Sequence, residues 1–197
     1  MQKEKLFTGL ILFVLGMAGV FSLLSMEVTL PAEAEKIVAD QFTTRQLKWL
    51  SLINPTVLLI ITIVVGTILH EKVNLDVPII KGGLRKEKRG NIRRIIVFGI
   101  AGGLIAGIFI LIVGAAYEPL LPKEFLKLGE NIHTSLAVRF LYGGITEEIL
   151  MRFGLMTFFV WLLSKIFKSL NAKIYWAGIL LAALLFAVGH FPVVFQA

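Results

Sequence analysis

The chain has no cysteine among its 197 residues. That excludes disulfide scaffolds, thiolate zinc sites, cysteine nucleophiles and lipidated cysteines. Charge is also scarce: Asp, Glu, Lys and Arg make up 17% of the chain, against about a quarter in soluble domains. Hydrophobic residues reach 57%, which excludes disorder, because disorder requires low hydrophobicity and high charge. Histidine occurs only at His70, His133 and His190. No internal repeat and no low-complexity tract stands out.

Long apolar runs are what the sequence does have. Leu6 to Ser25, Leu50 to Leu69 and Ile95 to Tyr117 are each long enough to cross ~30 Å of hydrocarbon. Ser135 to Leu163 is a fourth run, interrupted by Arg139, Glu147, Glu148 and Arg152. Ile174 to about Phe195 is a fifth, with His190 and Pro192 near its end. The pattern predicts an all-α, multi-span transmembrane bundle of about five spans. One membrane domain is expected over 1–197, with N-terminal helices over 1–134 and the ionisable motifs over 135–197. Lys3 and Lys5 precede the first run as in a signal peptide. The run is longer than the usual h-region of about 7–15 residues, so a retained anchor is expected. A short interfacial helix is expected after Pro31. Gly99, Gly102, Gly103 and Gly107 suit close helix packing, not a nucleotide loop, since no strand precedes them. Trp49, Trp161, Tyr175 and Trp176 lie near run ends, as interfacial aromatics do.

The net charge of +7 is distributed unevenly between the connections. Thirteen Lys and Arg residues fall on the N-terminal tail and on the connections after the second and fourth runs; five fall on the other two connections. The positive-inside rule then predicts a cytoplasmic N-terminus. The basic patch Lys81 to Arg94 is expected to touch anionic lipid, and no nucleic-acid partner is expected. Oligomeric state is not readable from the sequence.

Ionisable groups inside a bilayer are costly and mark functional candidates. The fourth run reads Gly143-Gly144-Ile145-Thr146-Glu147-Glu148-Ile149-Leu150-Met151-Arg152. On an α-helix Glu148 and Arg152 are four apart and face each other. Glu147 is rotated by about 100° and lacks that partner. One glutamate is thus expected to be a buried, ion-paired structural element while its neighbour projects into a cavity as a general base. Phe186 and His190 are likewise four apart on the fifth run. Glu147 lies 18 residues from Lys165, and His190 17 residues from Lys173. At 1.5 Å per residue those separations are ~27 and ~26 Å, so antiparallel helices bring the pair to one depth.

Glu147-Glu148-x-x-x-Arg152 on one membrane helix, followed by Phe186-x-x-x-His190 on the next, resembles the CPBP family. This family comprises type II CAAX prenyl endopeptidases and bacteriocin-processing enzymes, also called Abi. The resemblance covers roughly Ser135 to Ala197. It implies an intramembrane endopeptidase in which Glu147 activates water and His190 helps to hold that water or a metal. Glu148, Arg152 and Phe186 would support them. It further implies zinc or another divalent ion held by Glu147, Glu148 and His190. The substrates would be membrane-associated peptides or prenylated protein C-termini, and the location a bacterial cell membrane. The family's later histidine motif has no counterpart here: the sequence ends seven residues after His190. The expectation is that the natural chain continues beyond Ala197. Two rival classes stay open. One is a non-catalytic immunity or sensor partner with a buried Glu/Arg/His network; the other is a proton relay or transporter.

Overall fold

A computed structural model describes residues 2–26, 41–80, 89–122 and 134–195. Helices account for nearly all of them, and no strand occurs among the described residues. Helix α1 spans Gln2–Ser22 and ends in a tight turn at Leu23–Ser25. Helix α2 is a short segment, Thr44–Ser51. Its start is fixed by a capping box: the Thr43 hydroxyl accepts from the Gln46 N–H, and the Gln46 side chain accepts from the Thr43 N–H. Helix α3 is Ile53–Leu69, tightened at its end over His70–Val73. Helix α4 is Arg89–Tyr117 and contains the glycine stripe. Helix α5 runs Val138–Ile166, and α6 is Ala172–Phe195. Five stretches are long and apolar enough to cross a membrane, as the runs in the sequence imply. The expected helix directly after Pro31, the basic residues Lys81 to Lys88, and His133 lie outside the described residues.

The chain divides into two compact units, Met1–Asp76 with Thr134–Ala197, and Val77–His133. The second unit is built on α4, an apolar helix of 29 residues. The first unit holds the motif residues. Here α5 is the central helix, packed on α1, α3 and α6.

Small residues allow these helices to come close. A methyl group added at Gly16 would strike Leu59, one at Gly19 would strike Thr146 and the Leu141 carbonyl, and one at Gly66 would strike Phe153. Gly154 is equally tight against Thr62, and Gly178 against Val160. Lipid supplies no hydrophobic drive between helices, so van der Waals packing and interhelical hydrogen bonds must hold them. Two such bonds tie α1 to the α5 region: Thr146 Oγ1 donates to the Gly16 carbonyl at 2.8 Å, and Ser25 and Ser135 share a hydroxyl bond at 3.0 Å. The outer surface carries exposed Leu, Ile, Val and Phe in large numbers, as a lipid-facing surface does.

One end of this unit is locked by a buried cluster of Val73, Val160 and Ile174. Trp161 and Tyr175 pack against it, and the Tyr175 hydroxyl donates to the Val73 carbonyl at 2.7 Å. These two aromatics therefore join α3, α5 and α6. Trp49 and Trp176 remain exposed, as interfacial residues would be.

Candidate active site

The expectation of a plain α-helix through the motif needs correcting. Val138–Thr146 and Ile149–Met156 are wound with i→i+5 hydrogen bonds, the wide π form, on either side of Glu147 and Glu148. The Glu147 N–H bonds to the Tyr142 carbonyl, five residues back. Such segments are rare and concentrate at functional sites. Threonine hydroxyls satisfy carbonyls along both stretches: Thr146 Oγ1 donates to Leu141 at 3.3 Å as well as to Gly16, and Thr157 Oγ1 donates to Arg152 at 3.2 Å. Both threonines are fully buried. A π turn takes more residues per turn, so its rise per residue is smaller, and the ~27 Å depth obtained from the α-helical rise is an overestimate.

This winding places the motif on a cavity of about 430 Å³ between α5 and α6. Gly143, Glu147, Glu148, Met151, Arg152 and Met156 line it from α5; Ile179, Ala182, Ala183 and Phe186 line it from α6. Most of the wall is apolar, with the ionisable groups on one side. An apolar cavity with a few convergent polar groups is the ordinary form of a ligand site.

The Glu148–Arg152 pair forms as the spacing requires, with Arg152 Nε 2.5 Å from Glu148 Oε2. Its surroundings differ from the expectation. The side chains are 50% and 74% exposed, and both residues line the cavity. The pair is thus part of the same open site as Glu147, not a buried element set apart from it. The physical reason is that Glu147 and Glu148 are adjacent on a helix whose α6-facing side is open over the whole width of the cavity.

His190 is held by its own helix. Its Nδ1 lies 2.8 Å from the Phe186 carbonyl, and its ring packs on the Phe186 ring with centroids 4.2 Å apart. A carbonyl only accepts, so Nδ1 carries the proton and the neutral ring keeps its lone pair on Nε2. Glu147 and His190 lie within electrostatic reach of one another across the α5–α6 gap. The structure therefore brings together Glu147, Glu148, Arg152, Phe186 and His190. It leaves His70 elsewhere, buried at the end of α3 against Phe153.

A catalytic zinc takes three protein ligands. Among the described residues no three His, Asp or Glu side chains are grouped to hold a metal ion, and Glu148 is engaged by Arg152.

Two residues at the site carry no obvious signal in the sequence. Thr146 ties the turn before Glu147 to α1 through the Gly16 carbonyl. Tyr142 precedes Glu147 by one π turn and lies within its electrostatic reach. A hydroxyl in an apolar run reads as neutral until the partner helix is known.

Residues 130–197 match the family model described as type II CAAX prenyl endopeptidase Rce1-like. The match covers the same segment as the motif resemblance and supports the CPBP and CAAX-protease family. No curated protein and no solved structure matches the chain.

Proposed function

We propose, from the CAAX-protease signature over residues 130–197, that this multi-pass membrane protein is an intramembrane endopeptidase in which Glu147 is the general base. The observation that carries this reading is the joint presence of Glu147, Glu148 and Arg152 on one wall of a largely apolar cavity, with His190 on the facing helix. The Glu147 carboxylate takes a proton from a water molecule, and the oxygen attacks the scissile carbonyl. His190 Nε2, the ring nitrogen with a lone pair, accepts the water's other hydrogen and so orients it. The tetrahedral oxyanion needs donors, and the Arg152 guanidinium has N–H groups beyond the one directed at Glu148. Glu148 holds Arg152 by charge. Glu147 then returns its proton to the departing amine as the tetrahedral species collapses. The apolar wall from Ile179 to Phe186 suits the apolar side chains of membrane-associated peptides or of prenylated C-termini, which are the proposed substrates.

The test is cleavage of such peptides by the protein in membranes, followed by mass spectrometry. Glu147→Gln is nearly isosteric and removes the base. It should lower the rate by roughly 10²–10⁴-fold, the usual contribution of general-base catalysis. Membrane level and Tm should stay as in the wild type. Wild-type cleavage by Glu147→Gln would transfer support to the non-catalytic network. Partial activity in Glu147→Asp together with proton flux would favour a relay.

A further inference from the structure

A second cavity, of about 320 Å³, lies at the other end of α5 from Glu147. Lys72, Lys165 and Lys168 line it together with Trp161, Ser164 and Ser169. No acidic residue is among its lining residues, and the three lysines make no ion pair among the described residues. Three lysines on one small cavity without a carboxylate among them make a surface complementary to an anion.

We propose that this cavity binds the phosphate group of an anionic phospholipid. Four observations support it. First, the frame is rigid: the cavity is built on the Val73, Val160 and Ile174 cluster and on the Tyr175–Val73 hydrogen bond. Second, hydroxyl donors are present. Ser169 Oγ accepts from Asn171 Nδ2 at 2.9 Å, which leaves its own hydrogen for an acceptor. Third, Lys72, Lys165 and Lys168 are all exposed, so their ammonium groups are free to converge on an anion in the cavity. Fourth, Lys168 has φ of 49°, the left-handed position after a helix that glycine normally takes. A lysine there carries a conformational cost, and its ammonium is what the cavity gains.

The source of the phosphate follows from location. The cavity joins the end of α3, the end of α5 and the turn before α6. The positive-inside rule assigns this end to the cytoplasmic leaflet, where anionic lipids attract juxtamembrane lysines. The site is independent of the peptidase reading, because none of its residues lines the Glu147 cavity.

The experiment uses the whole chain in nanodiscs of phosphatidylcholine with phosphatidylglycerol, with the retained lipids weighed by native mass spectrometry. Wild-type protein should retain phosphatidylglycerol over phosphatidylcholine by roughly five- to tenfold. The triple variant Lys72→Gln, Lys165→Gln, Lys168→Gln should lose that preference. A control with the same change in charge, Lys3→Gln, Arg93→Gln, Arg94→Gln, should keep it. Lys168→Gly separates binding from folding: it should raise Tm while lowering the preference. Equal loss in the control triple would show diffuse surface charge and overturn the site. So would a wild-type protein without preference. Inorganic phosphate is the last arm. If millimolar phosphate in phosphatidylcholine discs raises Tm through the three lysines while phosphatidylglycerol does not, the site takes free phosphate and the lipid assignment fails.

Discussion

Glu147 and Arg152 differ in how the molecule depends on them. Arg152 and Glu148 are largely exposed within an open cavity, so the pair resembles a surface ion pair more than a buried one. Loss of Arg152 as Leu should cost about 1 kcal/mol of stability or less, not the ~3–5 kcal/mol of a broken buried pair. Cleavage should fall much further, because the oxyanion loses its cationic donor. Parallel measurement of Tm and peptide turnover checks this, and a large fall in Tm with little loss of turnover would make the pair structural. His190→Ala should weaken cleavage, and the double variant with Glu147→Gln should be no worse than Glu147→Gln alone. Both residues are assigned to one water, and groups that act as a unit are not additive.

At the level of elements, α1 is what positions the turn that carries Glu147. The Thr146 hydroxyl bonds the Gly16 carbonyl, and Gly19 leaves no room for a side chain beside Thr146 and Leu141. Thr146→Val keeps the shape and deletes the bond. It should cost about 0.6–1.7 kcal/mol, the range of hydrogen bonds between membrane helices, and it should lower turnover by shifting the Glu147 backbone. Gly19→Val should do more damage, roughly 1–3 kcal/mol from overpacking alone. Unfolding of the purified protein in detergent, followed by tryptophan fluorescence, would rank the two variants. If Gly19→Val unfolds like the wild type, the close α1–α5 approach is not a determinant of stability.

For the whole molecule, the uneven distribution of lysine and arginine predicts its orientation in the membrane. Reporter fusions at Asn74 and Asn171 should read cytoplasmic, and fusions at Gln41 and Leu121 should read external. The reverse pattern would invert the protein and place the lysine-lined cavity on the outer leaflet. That outcome would also remove the leaflet argument for its lipid ligand.

Sequence alone determined the helical class, the five long apolar stretches and the short list of ionisable residues within them. It could do so because hydrocarbon forces a spanning segment to be apolar, helical and about 20 residues long, which leaves a local signature. The same locality made the Glu148–Arg152 and Phe186–His190 pairings legible, since each partner is one turn away on its own helix. The tertiary structure decided what depends on neighbours distant in sequence. The π winding around Glu147 relies on Thr146, whose hydroxyl is held by Gly16 from α1, 130 residues away. The packing glycines are Gly16, Gly19, Gly66, Gly154 and Gly178, and no spacing rule marks them, because what makes each one necessary is the side chain or carbonyl of another helix. Nor does composition reveal that Lys72 joins Lys165 and Lys168 around one cavity. Only the docking of the α3 end against α5 and α6 brings those charges together.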